Sequence, residues 1–188
     1  MCIRDRYVFL GPPGAGKGTQ AQKIASAFDL AHISTGDMLR AHVSNGTQLG
    51  IQAKSLLDEG KLVPDDLVIK MLIERLNEED CKNGAILDGF PRTLPQAKSL
   101  EEISNEFPVK KVLVFDVNEE ELVQRIILRG ETSGRSDDTA ESIKVRLEVY
   151  KEDTEPLIDF YKEFNEVVSI NALGDIEEIY KTIEANFS

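Results

Sequence analysis

The chain has 188 residues, 41% of them hydrophobic, and a formal net charge of −12 at neutral pH. That length and apolar content suffice for one substantial core with inserted subdomains rather than two independent units. The acidic excess argues against nucleic acid or an anionic membrane as partner, so any anion site has to be assembled locally from a few placed Arg and Lys.

In chain order, residues 1–6 read as an overhang outside the core, either a leader or a solvated extension, because Arg4, Asp5 and Arg6 put charge ahead of an apolar run. That run, YVFL at 7–10, should be buried on both faces and is the first of several β-rich stretches; the others lie at 31–34, 85–87, 112–117 and 167–170. Segments with helical periodicity stand between them. The alternation predicts an α/β fold in three layers, a five-stranded parallel sheet flanked by right-handed crossover helices. Helix starts are marked: Asp65 and Asp66 precede Leu67, Asn118 precedes a glutamate-rich turn, and Asp138 stands three residues before Glu141 in capping-box spacing. Pro95 suits a first turn, and Gly174 opens the last helix. Two stretches interrupt the alternation, an extra, mostly helical pair at 35–64 and a small polar loop, GETSGRSD, at 130–137. No internal repeat or low-complexity tract is visible.

The stretch GPPGAGKGT, residues 11–19, follows the first strand directly and opens a helix. Phosphate-binding loops need that context: glycines let consecutive backbone N–H groups turn inward, and the helix N-terminus adds a favourable potential for an anion. Lys17 then reaches the outer phosphates. The next position is Gly18, where the general pattern has Ser or Thr, and Thr19 follows one place later, which leaves a hydroxyl contact with a magnesium shell open. Such a cradle fits a GTPase switch, a motor ATPase or a kinase alike. A second unusual stretch, DGFPRTLPQA at 88–97, ends a buried run on an acid, then sets an arginine and a glutamine on a loop stiffened by prolines. Asp88 falls at the carboxyl end of its strand, where open α/β sheets place ligands. Arg125 and Arg129 lie four apart on one helix face, while Arg135 and Arg146 fall in the polar loop and the helix after it. His32 and His42 carry no pattern that assigns them chemistry. No apolar stretch approaches the roughly 18 residues that span a bilayer, and no signal-peptide core is present. Cys2 and Cys81 suit a reduced cytoplasmic setting and are too few for a four-ligand zinc site.

Taken together, GPPGAGKGTQA, STGDMLR, GKLVPDD, LDGFPRTLPQA and GRSDD resemble, in order and spacing, the adenylate kinases among the nucleoside monophosphate kinases. The likeness covers essentially the whole chain from Tyr7 onward. It implies a single P-loop kinase domain whose 35–64 insertion is a helical AMP-binding subdomain and whose 129–138 segment is a short lid, with hinges near Thr35, Pro64, Arg129 and Asp138. Some relatives have a longer lid with four zinc-binding cysteines; this chain is expected to hold no structural zinc. The implied reaction is reversible transfer from MgATP to AMP giving two ADP, in a cytoplasmic monomer whose partners are small nucleotides and whose cofactor is Mg²⁺. On the ATP side the resemblance points to Gly14, Ala15, Gly16, Lys17, Gly18, Thr19 and Gly174, with Arg129 gripping ATP and Arg125 clamping phosphates. On the AMP side it points to Thr35, Arg40, the backbone of Lys61, Leu62 and Val63, and that of Gly89, Phe90 and Pro91. Arg92 forks the AMP phosphate, Gln96 pairs with the adenine edge, and Arg135 and Arg146 meet AMP and the transferring group. Lys17, Arg92, Arg125, Arg135 and Arg146 form the implied catalytic set, and Asp88 resembles the acid that orients water on magnesium. Asp37 is expected to be a helix cap. UMP/CMP kinases resemble SAGELLR and carry Asn near the positions of Thr93 and Gln96, so Thr35 with Gln96 favours AMP. A GTP-preferring donor site stays open. Lys17, Asp88 and the arginine set speak against a binding module without turnover, and no base-specific motif of a GTPase switch is found.

Overall fold

The apolar runs form one parallel sheet with β1 (Arg6–Leu10) at its centre. β3 (Ala85–Asp88) and β4 (Val109–Asp116) flank it, β2 (Ala31–Ser34) lies outside β3, and β5 (Glu166–Asn171) lies outside β4. This computed structural model describes residues 5–103, 105–133, 135 and 138–187. Every residue of β1 is buried, as the YVFL run requires of a strand covered on both faces. Alternate residues feed two cores. Val8 and Leu10 join Leu72 of α4 (Asp65–Leu76), Leu100 of α5 (Leu94–Glu102) and Tyr161 of α8 (Leu157–Lys162). Tyr7 and Phe9 join Ile24 of α1 (Lys17–Phe28), Ile126 of α6 (Glu119–Ser133), Leu147 of α7 (Ala140–Val149) and Ile183 of α9 (Ile176–Glu184). The result is the expected three-layer α/β fold. No described helix is long and apolar enough to cross a membrane.

The extra stretch after β2 is a helix pair, α2 (Thr35–Ser44) and α3 (Gln48–Asp58). Ser34 and Thr47 cap them through their hydroxyls, each accepting from an N–H three residues on. The two helices approach closely at Gly50, where any Cβ would fall on the His42 carbonyl. From β1 the chain runs to one edge of the sheet, and from β3 it crosses to the other side. The carboxyl ends of β1 and β3 therefore open the crevice where such sheets bind ligands.

Several local expectations shift. Arg6 is not overhang: it starts β1, its N–H donates to the Pro108 carbonyl at 2.8 Å, and its 0% exposed side chain lays the guanidinium 4.5 Å from the Phe107 ring centre. An aromatic face and the apolar stem make that burial tolerable. Residues 1–4 lie outside the described residues. β4 begins at Val109 rather than 112 because its lysines reach away from the sheet, Lys111 to the Asn186 carbonyl at 2.8 Å and Lys110 to Asp5 at 3.4 Å. It also ends at Asp116, one residue earlier than expected. The cap of α7 moves by one residue, with Thr139 and Ser142 exchanging the two bonds of the capping box in place of Asp138 and Glu141. In α4 the N-cap position is Pro64, and Asp65 is already helical. Asn118 does cap α6, accepting from the Glu121 N–H at 2.9 Å, and Pro95 does lie in the first turn of α5, whose cap is Thr93. The last helix is capped by Asp175, with Gly174 just before it at φ 109°.

Candidate active site

A cleft of about 1140 Å³ opens over the carboxyl ends of the strands. Its floor is the loop between β1 and α1. Gly14 (φ 84°) cannot carry a side chain, since a Cβ would lie 2.7 Å from Ile126 Cγ1 and 3.0 Å from the Leu122 carbonyl. Gly16 (φ 86°) has nothing within 4 Å of where its Cβ would stand, so the backbone there faces open space. A loop with that geometry presents N–H groups to an anion. Lys17 Nζ lies against the loop's own carbonyls, donating to Gly11 O at 2.7 Å and Pro12 O at 2.8 Å. Withdrawal from water lowers its pKa to about 8; Asp88 opposes the shift, and Arg92, Arg146 and Arg129 add to it.

At the end of β3, the Gly89 carbonyl accepts from both Arg92 Nε (2.8 Å) and Thr35 Oγ1 (2.7 Å). Gly89 stands at φ 76°, and a Cβ there would come within 2.8 Å of Arg92 Nη2. The Phe90–Pro91 bond is cis. Arg92 is held from behind as well, since Thr154 Oγ1 donates to its carbonyl at 2.8 Å. Thr154 ends a π-helical turn, Tyr150–Thr154, that continues α7.

Two acids hold four more of the arginines. Asp138, its side chain 0% exposed, receives Arg129 Nε (2.8 Å) and Nη2 (2.6 Å) together with Arg146 Nη1 (2.9 Å). Burial works against its ionisation, but the bonds and charges of Arg129 and Arg146 outweigh it and keep the carboxyl below its ordinary range. Asp37, in the first turn of α2, pairs with Arg40 (2.5 Å) and across the cleft with Arg135 (3.1 Å). Burial raises and these two arginines lower its pKa, with the net direction downward. The cap expected of Asp37 is supplied by Ser34 instead. Burial also lowers the pKa of Arg135, with Arg40 and Arg129 acting in the same direction.

Among the described residues, Lys17, Arg40, Arg92, Arg125, Arg129, Arg135 and Arg146 all line this cleft, against the carboxylates of Asp37, Asp88 and Glu121. An excess of cations is thus concentrated in a chain whose net charge is −12. A smaller side pocket is lined by Thr35, Arg40, Lys61, Leu62, Val63, Gly89, Arg92, Gln96 and Arg146, nearly the whole residue set expected on the AMP side. It encloses only about 40 Å³.

Not every expected residue points there. The Phe90 ring is in the core, leaving its backbone to the loop, and the Lys61 ammonium pairs with Glu59 at 2.7 Å on the surface. Arg125 is bonded to Glu121 (2.8 Å) and to the Ala172 carbonyl (3.1 Å). Gln96 is 2% exposed, and its carboxamide is engaged by the Arg92 N–H and by Asp65. Residues 134, 136 and 137 of the polar loop lie outside the described residues. Sequence reading missed Asp138 as an arginine holder, Asp65, Thr154, and His32, whose Nε2 is 3.4 Å from Asp88 Oδ2. For His32 a signal existed: it sits on the strand paired with β3, two residues before the partner of Asp88.

Comparison with known proteins gives this cleft its family. The adenylate kinase family model matches residues 9–166. The chain belongs to the adenylate kinase family. It is 54% identical over 180 residues to the adenylate kinase of Leptospira biflexa, covering 95% of this chain and 97% of that protein. It is 49% identical over 183 residues to that of Corynebacterium aurimucosum, covering 96% and 98%. The adenylate kinase of Methanosarcina mazei is 44% identical over 206 aligned positions, covering 95% and 96%.

Adenylate kinases as a family work with a magnesium nucleotide, and the donor set here fits such an ion. Magnesium keeps most of its waters and takes one or two carboxylates plus substrate phosphates. Asp88 offers one hard oxygen donor beside the phosphate loop, and Gly18 leaves room before it, since a Cβ at 18 would stand 3.2 Å from Asp88 Oδ2. A side chain at 18 would press on that carboxylate unless it gave way by a few tenths of an ångström. Among the described residues no group of three His, Cys, Asp or Glu side chains is placed to hold a metal by itself.

Proposed function

We propose that the chain transfers the γ-phosphoryl group of MgATP reversibly to AMP, giving two ADP, as an ATP:AMP phosphotransferase. The observation that carries the reading is the concentration of cations around one cleft, with a phosphate cradle at one end and the Arg92 loop at the other. Gly14 to Thr19 hold the ATP phosphates, with Lys17 on the outer ones. Arg129 grips the same nucleotide. Arg125, on the same helix four residues before Arg129 and lining the same cleft, clamps the phosphates. Thr35, Arg40, the backbone of 61–63 and 89–91, Arg92 and Gln96 receive AMP, and Arg135 and Arg146 lie between the two halves. The 35–64 helix pair covers the acceptor half, and the 129–138 segment, part of which lies outside the described residues, is read as the lid over the donor half.

No side-chain base is required. The nucleophile is a phosphate oxygen of AMP, and a phosphomonoester with a second pKa of about 6 is already ionised at neutral pH. The difficulty is to bring two polyanions together and stabilise charge on the moving phosphoryl, a task for guanidinium forks fixed in advance. Asp138 and the Gly89 carbonyl supply that fixing for Arg129, Arg146 and Arg92. Asp88 would hold Mg²⁺ through water, and the ion would supply further neutralisation of the phosphates. Closure of the covers keeps out water, which would otherwise compete as acceptor. One chain supplies both halves of the site, which supports a monomer as the working unit.

A coupled assay for ADP, run with AMP, CMP, UMP and GMP as acceptors and ATP or GTP as donor, tests the reading. AMP with ATP is expected to be the best pair, and Arg92→Ala to lower kcat/KM for AMP by about 10²–10³-fold with ATP binding retained. ATP binding without AMP-dependent turnover would overturn the function, and equal loss of both substrates in the variant would overturn the assignment of Arg92.

A further inference from the structure

An amide can read a base only if its two ends are told apart, and the surroundings of Gln96 do this. Gln96 Oε1 accepts from the Arg92 backbone N–H at 2.8 Å, and Gln96 Nε2 donates to Asp65 Oδ1 at 2.7 Å. A backbone N–H can only donate and a carboxylate can only accept, so a flipped amide would set donor against donor and acceptor against acceptor. Gln96 is 2% exposed, so bulk solvent cannot absorb such a mismatch. Asp65 is itself held. Its Oδ1 also receives Thr93 Oγ1 at 3.0 Å, and it lies in the first turn of α4, where the helix dipole favours a negative charge. What Gln96 has left for a ligand is one lone pair on Oε1 and one N–H on Nε2, in an order it cannot exchange.

We propose that Asp65 is a positioning residue for acceptor specificity: by fixing which end of the Gln96 carboxamide accepts and which donates, it selects a 6-amino purine over a 6-oxo purine. Adenine offers an exocyclic N–H donor beside a ring-nitrogen acceptor, which matches Oε1 and Nε2 as they stand. A 6-oxo purine inverts that edge to acceptor and N–H donor, so it would need the flipped amide. The inference rests on the reading that Gln96 faces the acceptor's base.

The test compares AMP with inosine monophosphate, which carries the inverted edge on the same sugar phosphate and lacks any further amino group. In Asp65→Ala the amide loses one of its two fixed partners, and the AMP to inosine monophosphate ratio of kcat/KM is expected to fall at least about tenfold. The loss should appear in KM for AMP rather than in kcat at saturation, with KM for ATP held. Asp65→Asn, whose carbonyl can still accept from Nε2, should restore most of the ratio. If the alanine variant does not fold, Asp65→Ser keeps a hydroxyl at the start of α4, is too short to reach Gln96, and gives the same readout. A wild-type enzyme that uses both acceptors equally would overturn the reading of Gln96 itself. A discriminating wild type with an unchanged ratio in a folded alanine or serine variant would overturn the role of Asp65 alone.

Discussion

Lys17 ties the phosphate cradle to pH. Its ammonium is withdrawn from water against two loop carbonyls, with arginines nearby, and its pKa falls to about 8. On the proposed reading, the free enzyme loses above that value a charge that would meet the outer phosphates, whereas a bound triphosphate would favour the charged form. The kcat/KM for MgATP, which reports the free enzyme, should therefore fall as pH rises past about 8, while kcat stays flatter. For stability the sign is opposite. The folded pKa lies below the unfolded value of 10.5, so between these two values the unfolded chain holds more protons and the ligand-free fold gains stability with rising pH. Thermal unfolding of wild type and Lys17→Met across this range checks it: the rise should be absent in the variant. At this scale Lys17, Gly14, Gly16 and Arg92 were legible, because a loop motif carries its own geometry. Asp138 and Asp65 were not legible, since an acid that holds an arginine or an amide reads locally like any helix-start acid.

The junction of α6 and α7 shows what that costs at the scale of elements. The acid in capping-box spacing, Asp138, is not the cap; Thr139 and Ser142 cap α7, which leaves Asp138 to join the end of α6 to the body of α7 through Arg129 and Arg146. Removing it would take away the buried carboxylate that both guanidiniums share, so Asp138→Ala is expected to cost about 2–3 kcal/mol of stability and to lower kcat. Adding Arg129→Met should recover part of the stability, because it removes one of the two repelling cations, while activity stays low. Calorimetry of the single and double variants decides between this and a simple cavity effect, in which the second change would only add to the loss. The linkage is of the depressed-carboxylate kind: this stability is present above the ordinary value of 3.8 and is lost as pH falls through the lower folded value. The strands themselves were legible from apolar runs alone. The missed start of β4 came from Lys110 and Lys111, whose long stems carry their charges out to Asp5 and to the end of the chain.

For the molecule as a whole, the difficulty is that a chain of net charge −12 must keep a crowd of cations together before any nucleotide arrives. Asp88, Asp138 and Asp37 do this, and Asp37 does it across the cleft, joining α2 to Arg135 some 98 residues away. No sequence pattern at that separation reveals such a pair; it exists only once the sheet has brought β2 and the segment after α6 to the same mouth. Both partners are partly exposed, the Asp37 side chain by 55%, so the pair is worth less than about 1 kcal/mol and shifts an open-to-closed equilibrium no more than about fivefold. On the proposed reading, a contact that weak favours closure of the cleft without resisting a nucleotide, whose phosphates would offer Arg135 and Arg40 a stronger anion. It must also be screened by salt. With dyes on α3 and on the segment before α7, single-molecule energy transfer in the nucleotide-free enzyme should show the closed population falling as ionic strength rises. Asp37→Asn should start near the high-salt value and respond little to added salt, with its melting temperature close to that of wild type. A wild-type cleft indifferent to salt would mean that the covers are held by apolar packing, and that the pairing of Asp37 with Arg135 follows closure rather than favouring it.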